Sequence, residues 1–432
     1  MSSSIFAATY KNEPYWWEAA PRPVLPASTV PDQIDVLVIG SGYTGLSAAT
    51  ETARGGRSTL VIDAEAAGWG CSSRNGGQVS TSIKPGFDAL SGRHNEQLAF
   101  GLRREGLDAL DYITHLIEDE KLDCDWNRSG RFHAAHNPAQ FEALVKLVGS
   151  QPKGLEVPME IVTRAEQRRE IGSDAYFGGI VYPRHSALHP GKFHLALLKL
   201  AQAAGATVID HCPALSIERT GNGFTVKTAK GTVQARDVIV ATNGYTGPLT
   251  PWHRRRVIPI GSYIIATEEL DPALAHELAP TNRMISDTRR VVFYYRLSPD
   301  RRRMIFGGRV AYLESNPDIC APRLHDWMCR LYPQLQSSKV THSWMGFVAY
   351  TFDTLPHIGK QDGLHYAMGY CGSGVSLATY FGRKIGLQVL GKTEGKSPLD
   401  NIPFQTRPLY SGNPWFLAPS VWWYRLLDGL PI

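Results

Sequence analysis

Long apolar runs are absent from this sequence, and none approaches the roughly 20 residues that a membrane-spanning helix needs. The first residues also lack the basic start and apolar core of a secretory signal. No excess of one charge sign stands out, because 45 Lys and Arg residues face 40 Asp and Glu residues. A nucleic-acid partner is therefore not expected. Together these absences predict a cytoplasmic protein without a membrane span.

Metal-binding and disulfide motifs are missing as well. The six cysteines are widely spaced and include no CxxC pair, and no HExxH stretch occurs. In a chain without a signal sequence, such cysteines are expected to be reduced thiols, and no metal site is predicted. What the chain does have is length. Its 432 residues, 43% of them hydrophobic, predict a globular protein of more than one domain.

The clearest pattern is the stretch VIGSGYTGLSAATETARGGRSTLVID, which runs from Val38 to Asp63. An apolar strand leads into Gly40, Gly42 and Gly45, a helical segment follows, and a second apolar strand ends at the acid. This order is typical of a dinucleotide-binding βαβ unit. The glycines permit a tight turn and close approach to a diphosphate, and the carboxylate of Asp63 can bind a ribose. A purely structural glycine turn is the alternative.

The glycine pattern alone does not distinguish NAD from FAD. The next segment, GWGCSSRNGGQ (Gly68–Gln78), is rich in glycine and carries the polar side chains of Arg74, Asn75 and Gln78. Such a segment keeps backbone amides and one charged donor available for phosphate or flavin oxygens. Its position directly after the βαβ unit favours this interpretation over a flexible surface loop.

In these two segments, the sequence resembles the FAD-dependent amine and amino-acid oxidases of the D-amino-acid oxidase superfamily. Within it, the γ-glutamylputrescine oxidoreductase-like proteins, which carry a similar glycine-rich GRNGG segment, are the nearest in pattern. Two further segments extend the resemblance along the chain. DVIVATNGYTG (Asp237–Gly247) is similar to the family's strand and cofactor-covering turn, and the segment from Trp344 to Gly386 is similar to its C-terminal flavin motif.

The resemblance implies a fold that combines α/β and α+β architecture, with a Rossmann-type FAD-binding domain interleaved with a β-sheet-rich substrate domain. The FAD-binding domain is expected to be discontinuous, and so is the substrate domain. The expected ranges are 1–33 for an N-terminal extension, 34–85, 157–249 and 340–391 for the FAD-binding domain, 86–156 and 250–339 for the substrate domain, and 392–432 for a C-terminal covering tail. Within that tail, Trp422 and Trp423 are expected to be buried.

The resemblance also implies non-covalent FAD, although some relatives attach the flavin to a Cys or His. Cys71 and Cys371 match no such position. A glycine-led helix after Gly372 is expected to direct its N-terminus at the flavin. The expected cofactor contacts are Gly40, Gly42, Tyr43, Thr44, Gly45, Asp63, Ala64, Arg74, Asn75, Gly76, Gly77, Gln78, Ala214, Leu215, Thr242, Asn243, Gly244, Trp344, Gly372, Gly374 and Val375.

Residues for the substrate are harder to assign from sequence. Tyr295 and Arg309 lie on β-branched and aromatic segments of the second domain, and Arg309 could hold a substrate carboxylate. His357 lies in the segment that borders the flavin in relatives, where it could act as a base or tune the flavin. Core packing of the tyrosine, a solvated arginine and a hydrogen-bonded structural histidine are the alternatives.

The predicted function is oxidation of a C–N bond in an amine or amino acid, by hydride transfer to FAD and hydrolysis of the imine. A γ-glutamylated amine or a secondary amino acid such as sarcosine or pipecolate is the expected substrate, with O₂ or another electron acceptor as the second partner. A D-amino-acid dehydrogenase of the same superfamily, an NAD-dependent dehydrogenase and a non-catalytic flavoprotein are the alternatives.

Overall fold

The computed structural model describes residues 4–81, 83–311 and 314–429 of the chain. Two large β-sheets, each with helices packed against it, make up most of this part. The strands are β1 (Phe6–Lys11), β2 (Gln33–Ile39), β3 (Thr59–Ile62), β4 (Gln78–Val79), β5 (Arg131–Ala134), β6 (Glu160–Val162), β7 (Gly179–Tyr182), β8 (Ser186–Ala187), β9 (Thr207–Ile209), β10 (Ala214–Thr220), β11 (Gly223–Thr228), β12 (Gly231–Val240), β13 (Ile258–Thr267), β14 (Met284–Asp287), β15 (Phe293–Leu297), β16 (Met304–Gly308), β17 (Val340–Tyr350), β18 (His357–Gln361) and β19 (Leu364–Met368). The helices are α1 (Trp16–Ala19), α2 (Tyr43–Arg54), α3 (Phe87–Arg93), α4 (Glu96–Asp119), α5 (Pro138–Gly149), α6 (Pro190–Ala203), α7 (Pro251–Arg254), α8 (Pro272–Leu278), α9 (Pro317–Leu331), α10 (Gly374–Val389) and α11 (Leu417–Asp428).

The first sheet has the order β10-β11-β12-β2-β3-β9, with β19 paired to β12 and β18 to β19. Its central strands β12, β2, β3 and β9 run parallel. Along β2, Val36 and Val38 face one buried cluster, while Leu37 and Ile39 face another. A strand buried on both faces is typical of a parallel sheet covered on both sides. This is the predicted Rossmann-type unit, with α2, α6 and α10 contributing to the cluster on one face.

The second sheet has the order β1-β17-β13-β16-β15-β14-β5-β7-β6. One of its faces packs against α8 and α9 in a large apolar cluster that includes Phe132, Phe306 and Leu324. On the opposite face, Ile264 packs with Trp344 in a smaller cluster. We call these the helix face and the open face of the second sheet. The predicted combination of a Rossmann-type unit with a β-sheet-rich unit is confirmed.

The predicted domain boundaries differ from these sheets in several places. The predicted FAD-binding domain includes the residues of β6, β7 and β17, yet these strands lie in the second sheet. The reason is backbone pairing, because β17 pairs antiparallel with β13 along the whole of that strand. The predicted N-terminal extension also supplies β1, which runs parallel to β17. The division into domains otherwise stays a prediction.

The C-terminal segment ends in α11, and there the expectation of buried tryptophans is wrong. Trp422 is 57% exposed and Trp423 is 51% exposed. Helical spacing turns Leu417 and Val421 inward instead. Among the described residues, no helix has the length and apolar character required to cross a bilayer.

Candidate functional site

The turn between β2 and α2 brings bare backbone to the carboxyl end of the first sheet. Gly40 has a φ of +109°, and a Cβ there would lie 2.8 Å from the carbonyl oxygen of Ala241. A Cβ on Gly45 would overlap the carbonyl oxygen of Gly40, so α2 can lie this close to β2 because Gly45 has no side chain. Gly42 precedes the first turn of α2, and the N–H of Tyr43 in that turn donates to the Ser72 hydroxyl at 3.0 Å. We call residues 40–42 the glycine turn. Its shape suits a diphosphate at a helix N-terminus.

Asp63 lies beside this turn, one residue after β3. Its Oδ2 accepts hydrogen bonds from the backbone N–H of Ser41 at 2.8 Å and from the Ser41 hydroxyl at 2.6 Å. Its Oδ1 accepts from the N–H of Glu65 at 3.0 Å. A carboxylate has about four acceptor positions, so capacity for a ribose hydroxyl remains. Ala64 follows it on the surface.

Residues 68–78, which we call the cofactor loop, are held by indole donors from distant parts of the chain. Trp16 donates its Nε1–H to the carbonyl of Asn75 at 2.9 Å, and Trp344 donates to the carbonyl of Arg74 at 2.7 Å. Both indoles are almost fully buried. The Asn75 side-chain amide in turn donates to the Tyr43 hydroxyl at 3.3 Å, which links the loop to α2. In this structure Trp344 therefore binds the backbone of the cofactor loop.

The guanidinium of Arg74 lies between two aromatic rings. Its Cζ is 4.7 Å from the centre of Trp17 and 4.4 Å from that of Trp69, and its Nε donates to the Trp69 carbonyl at 2.6 Å. Stacking of this kind fixes a guanidinium plane without consuming all of its donors. Arg74 is thus a preorganised cation within the cofactor loop, and its direct contact with a cofactor stays a prediction.

The end of the cofactor loop lies against the open face of the second sheet. A Cβ on Gly76 would lie 3.0 Å from the ring of Tyr294, and one on Gly77 would overlap the carbonyl of Leu188. Gln78 donates its side-chain amide to the carbonyl of Ile285 at 3.3 Å. The loop therefore occupies the space between the two sheets.

A second group of the predicted cofactor contacts lies in the turn at residues 242–244 and in the segment before α10. The Asn243 side chain accepts a hydrogen bond from the N–H of Gly369 at 2.9 Å, which joins the turn at residues 242–244 to the segment before α10. The hydroxyl of Thr44 on α2 lies 2.6 Å from that of Tyr370. Gly372 has a φ of +95°. These contacts bring the N-termini of α2 and α10 together.

Helix α10 begins at Gly374, and its preceding residue Ser373 makes no side-chain capping bond within the described part of the chain. The first N–H groups of the helix, including that of Val375, are therefore available to a negatively charged atom. Ala214 and Leu215 begin β10 at the edge of the first sheet, and the Leu215 side chain is 63% exposed. Their contact with a cofactor stays a prediction.

The prediction that Tyr295 is a catalytic residue is wrong. Its side chain points to the helix face, where its ring stacks on Phe306 and its hydroxyl donates to that of Tyr176 at 2.9 Å. Strand alternation sends its neighbours Tyr294 and Arg296 to the open face instead. Arg296 lies there beside the cofactor loop and donates to the carbonyl of Leu188 at 3.0 Å.

The prediction that Arg309 binds a substrate carboxylate is also wrong. Its guanidinium donates to the carbonyl of Gly261 at 2.7 Å and forms an ion pair with Glu314 at 3.0 Å. A Cβ on Gly261 would overlap the Glu314 carboxylate, and Gly261 alternates with Ser262, whose hydroxyl bonds Tyr294 on the open face, so this carboxylate lies on the helix face. A carboxylate of the chain itself holds the position that a substrate was expected to take.

His357 is a structural histidine. It is 1% exposed on its side chain, its Nε2 lies 3.1 Å from both carboxylate oxygens of Asp353, and its ring stacks on Phe404 at 4.0 Å. Burial among these partners fixes the ring in the interior of the first unit. The prediction of a base or a flavin-tuning group at this position is therefore wrong.

Three basic side chains that the sequence did not predict as site residues, those of Arg131, His133 and Lys84, lie close to one another. Phe132 and Ala134 of β5 belong to the cluster on the helix face, so Arg131 and His133 point to the open face. Lys84 follows the loop, and its Cε lies 3.8 Å from the position of a Cβ on Gly372. The alternation of Arg131-Phe132-His133-Ala134 was the available signal.

The charges of Arg131 and Lys84 act on the imidazole of His133. Burial is the main reason why the pKa of His133 falls to about 3, and the positive charges of Arg131 and Lys84 lower it further. His133 is therefore neutral at physiological pH, and its Nδ1 lies 2.9 Å from the Ser286 hydroxyl. Within the described residues, no carboxylate forms an ion pair with Arg131, and the buried Nε of Arg131 has no hydrogen-bond partner.

Comparison with known proteins gives a consistent result. The family described as "FAD dependent oxidoreductase", DAO, matches residues 35–386. The chain is 31% identical to the probable oxidoreductase OrdL of Haemophilus influenzae, over 87% of this chain and 88% of that protein. It is 30% identical to the gamma-glutamylputrescine oxidoreductase of Escherichia coli, over 91% and 92%. The crystal structure of glycine oxidase from Geobacillus kaustophilus superposes with a TM-score of 0.73 at 18% identity, over 88% and 99%, which shows a shared fold.

Proposed function

Because this chain belongs to the DAO family of FAD-dependent oxidoreductases, we propose that it oxidises the C–N bond of an amine that also carries a carboxylate. The expected cofactor FAD and the expected class of enzyme, one that oxidises amines or amino acids, are confirmed by that membership, and an NAD-dependent dehydrogenase is set aside. We propose γ-glutamylated amines and secondary amino acids as the substrates. The similarity to a gamma-glutamylputrescine oxidoreductase supports it.

The residues present fit FAD, because the missing side chains of Gly40 and Gly45 let the turn close against Ala241 and let α2 lie close to β2, which is the geometry that a diphosphate at the N-terminus of α2 needs. When bound, FAD supplies the two-electron acceptor for a hydride from the carbon next to nitrogen. The N–H groups at the start of α10 would stabilise negative charge between the sheets. Trp16 and Trp344 would keep the loop backbone in place.

The observation that carries the substrate proposal is the guanidinium of Arg131. It is desolvated and has no acidic partner in the described part of the chain. The guanidinium stacks on Tyr182, with Cζ 4.7 Å from the ring centre. A buried cation without an anionic partner is nevertheless costly, and a substrate carboxylate would compensate it. Lys84 adds a second positive charge beside the N-terminus of α10. We propose that these two cations bind the substrate carboxylate and so direct the amine toward the glycine-rich segments.

Anaerobic bleaching of the flavin absorbance tests the function. We expect carboxylated amines, such as a γ-glutamylated diamine or sarcosine, to bleach the flavin, and the matched amines without the carboxylate to react far more slowly. If no carboxylated amine reduces the flavin, the proposal fails. A D-amino acid that reacts faster than every other compound would favour the D-amino-acid dehydrogenase instead.

Replacing Arg131 with methionine tests the site. Loss of a charge-assisted hydrogen bond, about 1.5–3 kcal/mol, should raise KM about 10- to 100-fold for a carboxylated substrate. KM for a substrate without the carboxylate should change little. Arg128→Met is the matched control, because the Arg128 side chain is 66% exposed and pairs with Glu118. Equal KM values for Arg131→Met and the unmodified enzyme would rule out this carboxylate site.

We expect FAD to be held without a covalent bond. Burial raises the pKa of Cys71 to about 11 and that of Cys371 to about 11, so both thiols are protonated and weakly nucleophilic near neutral pH. Acid precipitation should therefore leave the flavin absorbance in the supernatant. Yellow colour that stays with the washed pellet would contradict this expectation.

A further inference from the structure

The segment before the first Rossmann strand contacts both parts of the cofactor site, although it lies outside the region that matches the family. This segment, residues 14–22, has the sequence PYWWEAAPR and includes α1. Trp16 is fully buried, packs edge-on against Trp344 and donates to the backbone of the cofactor loop. Its position is fixed further upstream, where β1 pairs with β17.

Trp17 makes a second bond to the same loop. Its Nε1–H donates to the hydroxyl oxygen of Ser73 at 2.8 Å, and that hydroxyl donates to the carbonyl of Gly68 at 2.6 Å. Ser73 is fully buried. Two adjacent tryptophans thus fix the cofactor loop at two points, one through its backbone and one through a buried side chain.

Arg22, at the end of the segment, acts on the glycine turn through a buried histidine. Its guanidinium lies 3.3 Å from Nδ1 of His194, and Nε2 of His194 lies 2.8 Å from the carbonyl oxygen of Ser41. Arginine can only donate, so Nδ1 must accept and Nε2 must carry the hydrogen that is donated to Ser41. Burial, together with the charge of Arg22, lowers the pKa of His194 to about 3. The histidine stays neutral, and the direction of both bonds is fixed.

Two positive charges flank one ring of this segment. The guanidinium of Arg22 lies 5.7 Å from the centre of Trp17, and that of Arg74 lies 4.7 Å from it. The Nε of Arg22 is buried without a hydrogen-bond partner, and no carboxylate in the described chain forms an ion pair with Arg22. Repulsion between Arg22 and Arg74 is unfavourable, and a diphosphate beside the glycine turn would offset it.

We propose that residues 14–22 are a clasp for FAD, in which Trp16 and Trp17 fix the cofactor loop and Arg22 fixes the glycine turn through His194 and supplies positive charge for the diphosphate. The clasp requires FAD binding, which family membership establishes, and does not depend on which amine is oxidised. Trp16, Trp17 and Arg22 are positioning residues in this proposal.

The test follows release of FAD from the purified holoenzyme after dilution, by the increase of flavin fluorescence. We expect Arg22→Met to speed release at least tenfold and to weaken its dependence on salt, because one cation near the diphosphate is lost. Arg22→Lys keeps the charge and a donor, so it should restore part of the difference. Trp17→Phe removes one N–H from the loop and should speed release severalfold. Trp422→Phe, at an exposed indole, is the matched control and should release FAD at the unmodified rate.

The melting temperature separates a clasp from general packing. With added FAD, we expect the Arg22→Met protein to gain back most of its lost melting temperature, since the defect lies in retention of the cofactor. If release rates are unchanged while the melting temperature falls with or without FAD, the segment only stabilises the fold and the proposal is overturned. If Arg22→Met does not fold, the FAD release rates of Trp17→Phe and Arg22→Lys test the clasp instead. Faster release than from the unmodified enzyme supports the proposal, and unchanged release overturns it.

Discussion

Gly45→Ala should produce a protein that loses FAD during purification. The added methyl group would overlap the carbonyl oxygen of Gly40, so α2 must move away from β2. That movement opens the glycine turn, which needs its closed form to hold a diphosphate. Overpacking of this kind costs about 3 kcal/mol or more when backbone cannot yield. We expect at least a hundredfold rise in the Kd of FAD, measured by fluorescence titration.

Gly92→Ala is the matched control for this prediction. Gly92 is also a helical glycine, in α3, but no atom lies within 4 Å of a Cβ placed on it. The substitution should leave FAD content unchanged and stabilise the helix slightly, because alanine has the higher helix propensity. A Gly45→Ala protein that keeps one FAD per chain with normal affinity would show that α2 does not need to lie this close to β2.

Acid should destabilise this protein well before its carboxylates are protonated. Burial, the largest cause at each site, lowers the pKa of several histidines far below 6.5, to about 3 for His133 and His194 and to about 4 for His189, His253 and His342. In the unfolded chain these groups bind protons near pH 6.5, whereas in the folded chain they stay neutral. The contribution of these neutral histidines to the free energy of unfolding is therefore fully present above pH 6.5 and is lost as pH falls toward 4.

The expected size of this effect is large. At pH 5, each such histidine costs on the order of 2 kcal/mol, since one pKa unit corresponds to about 1.4 kcal/mol. Several of them together approach the whole free energy of unfolding of a typical domain, about 5–15 kcal/mol. We expect the melting temperature of the holoenzyme to fall steeply between pH 6.5 and pH 5, measured by calorimetry or intrinsic fluorescence.

His253→Phe isolates one contributor. Both ring nitrogens of His253 are buried without a hydrogen-bond partner, and Trp252 and Tyr366 contact its ring edge-on. Phenylalanine fits this aromatic setting and cannot be protonated, so the variant should lose fewer degrees between pH 8 and pH 5. His211→Gln, at a side chain that is 63% exposed, should keep the unmodified pH profile. Identical profiles for all three proteins would contradict the linkage to buried histidines.

The cofactor half of the site was predictable because its signals are local. The strand, the glycines, helix α2 and Asp63 lie within 31 residues, from Gln33 to Asp63, and each has a conformational reason that can be read from the sequence. The helix after Gly372 follows the same logic. The hairpin formed by β10 and β11 was also predictable, because its turn at residues 221–222 joins two alternating segments.

The substrate half was not predictable in the same way. Alternation establishes that Tyr294 and Tyr295 point to opposite faces, but which face meets the cofactor loop depends on β14 and β16, which flank them. Arg309 looked available because its partner Glu314 and the carbonyl of Gly261 come together only in the folded chain. Arg131 was not predicted for the converse reason, since the alternation of its segment gives the face to which it points but not the groups that surround it there.

The parallel pairing of β1 with β17 sets an order of events during synthesis. Phe6 pairs with Val340, so about 330 residues must be translated before the first strand finds its partner. At about 5–20 residues per second, the ribosome takes roughly 20 to 70 seconds to make that stretch. The glycine turn is complete long before then, while the segment that closes over it still has no anchor. In the cell, residues 14–22 can therefore be anchored beside the cofactor loop only after β17 has been translated.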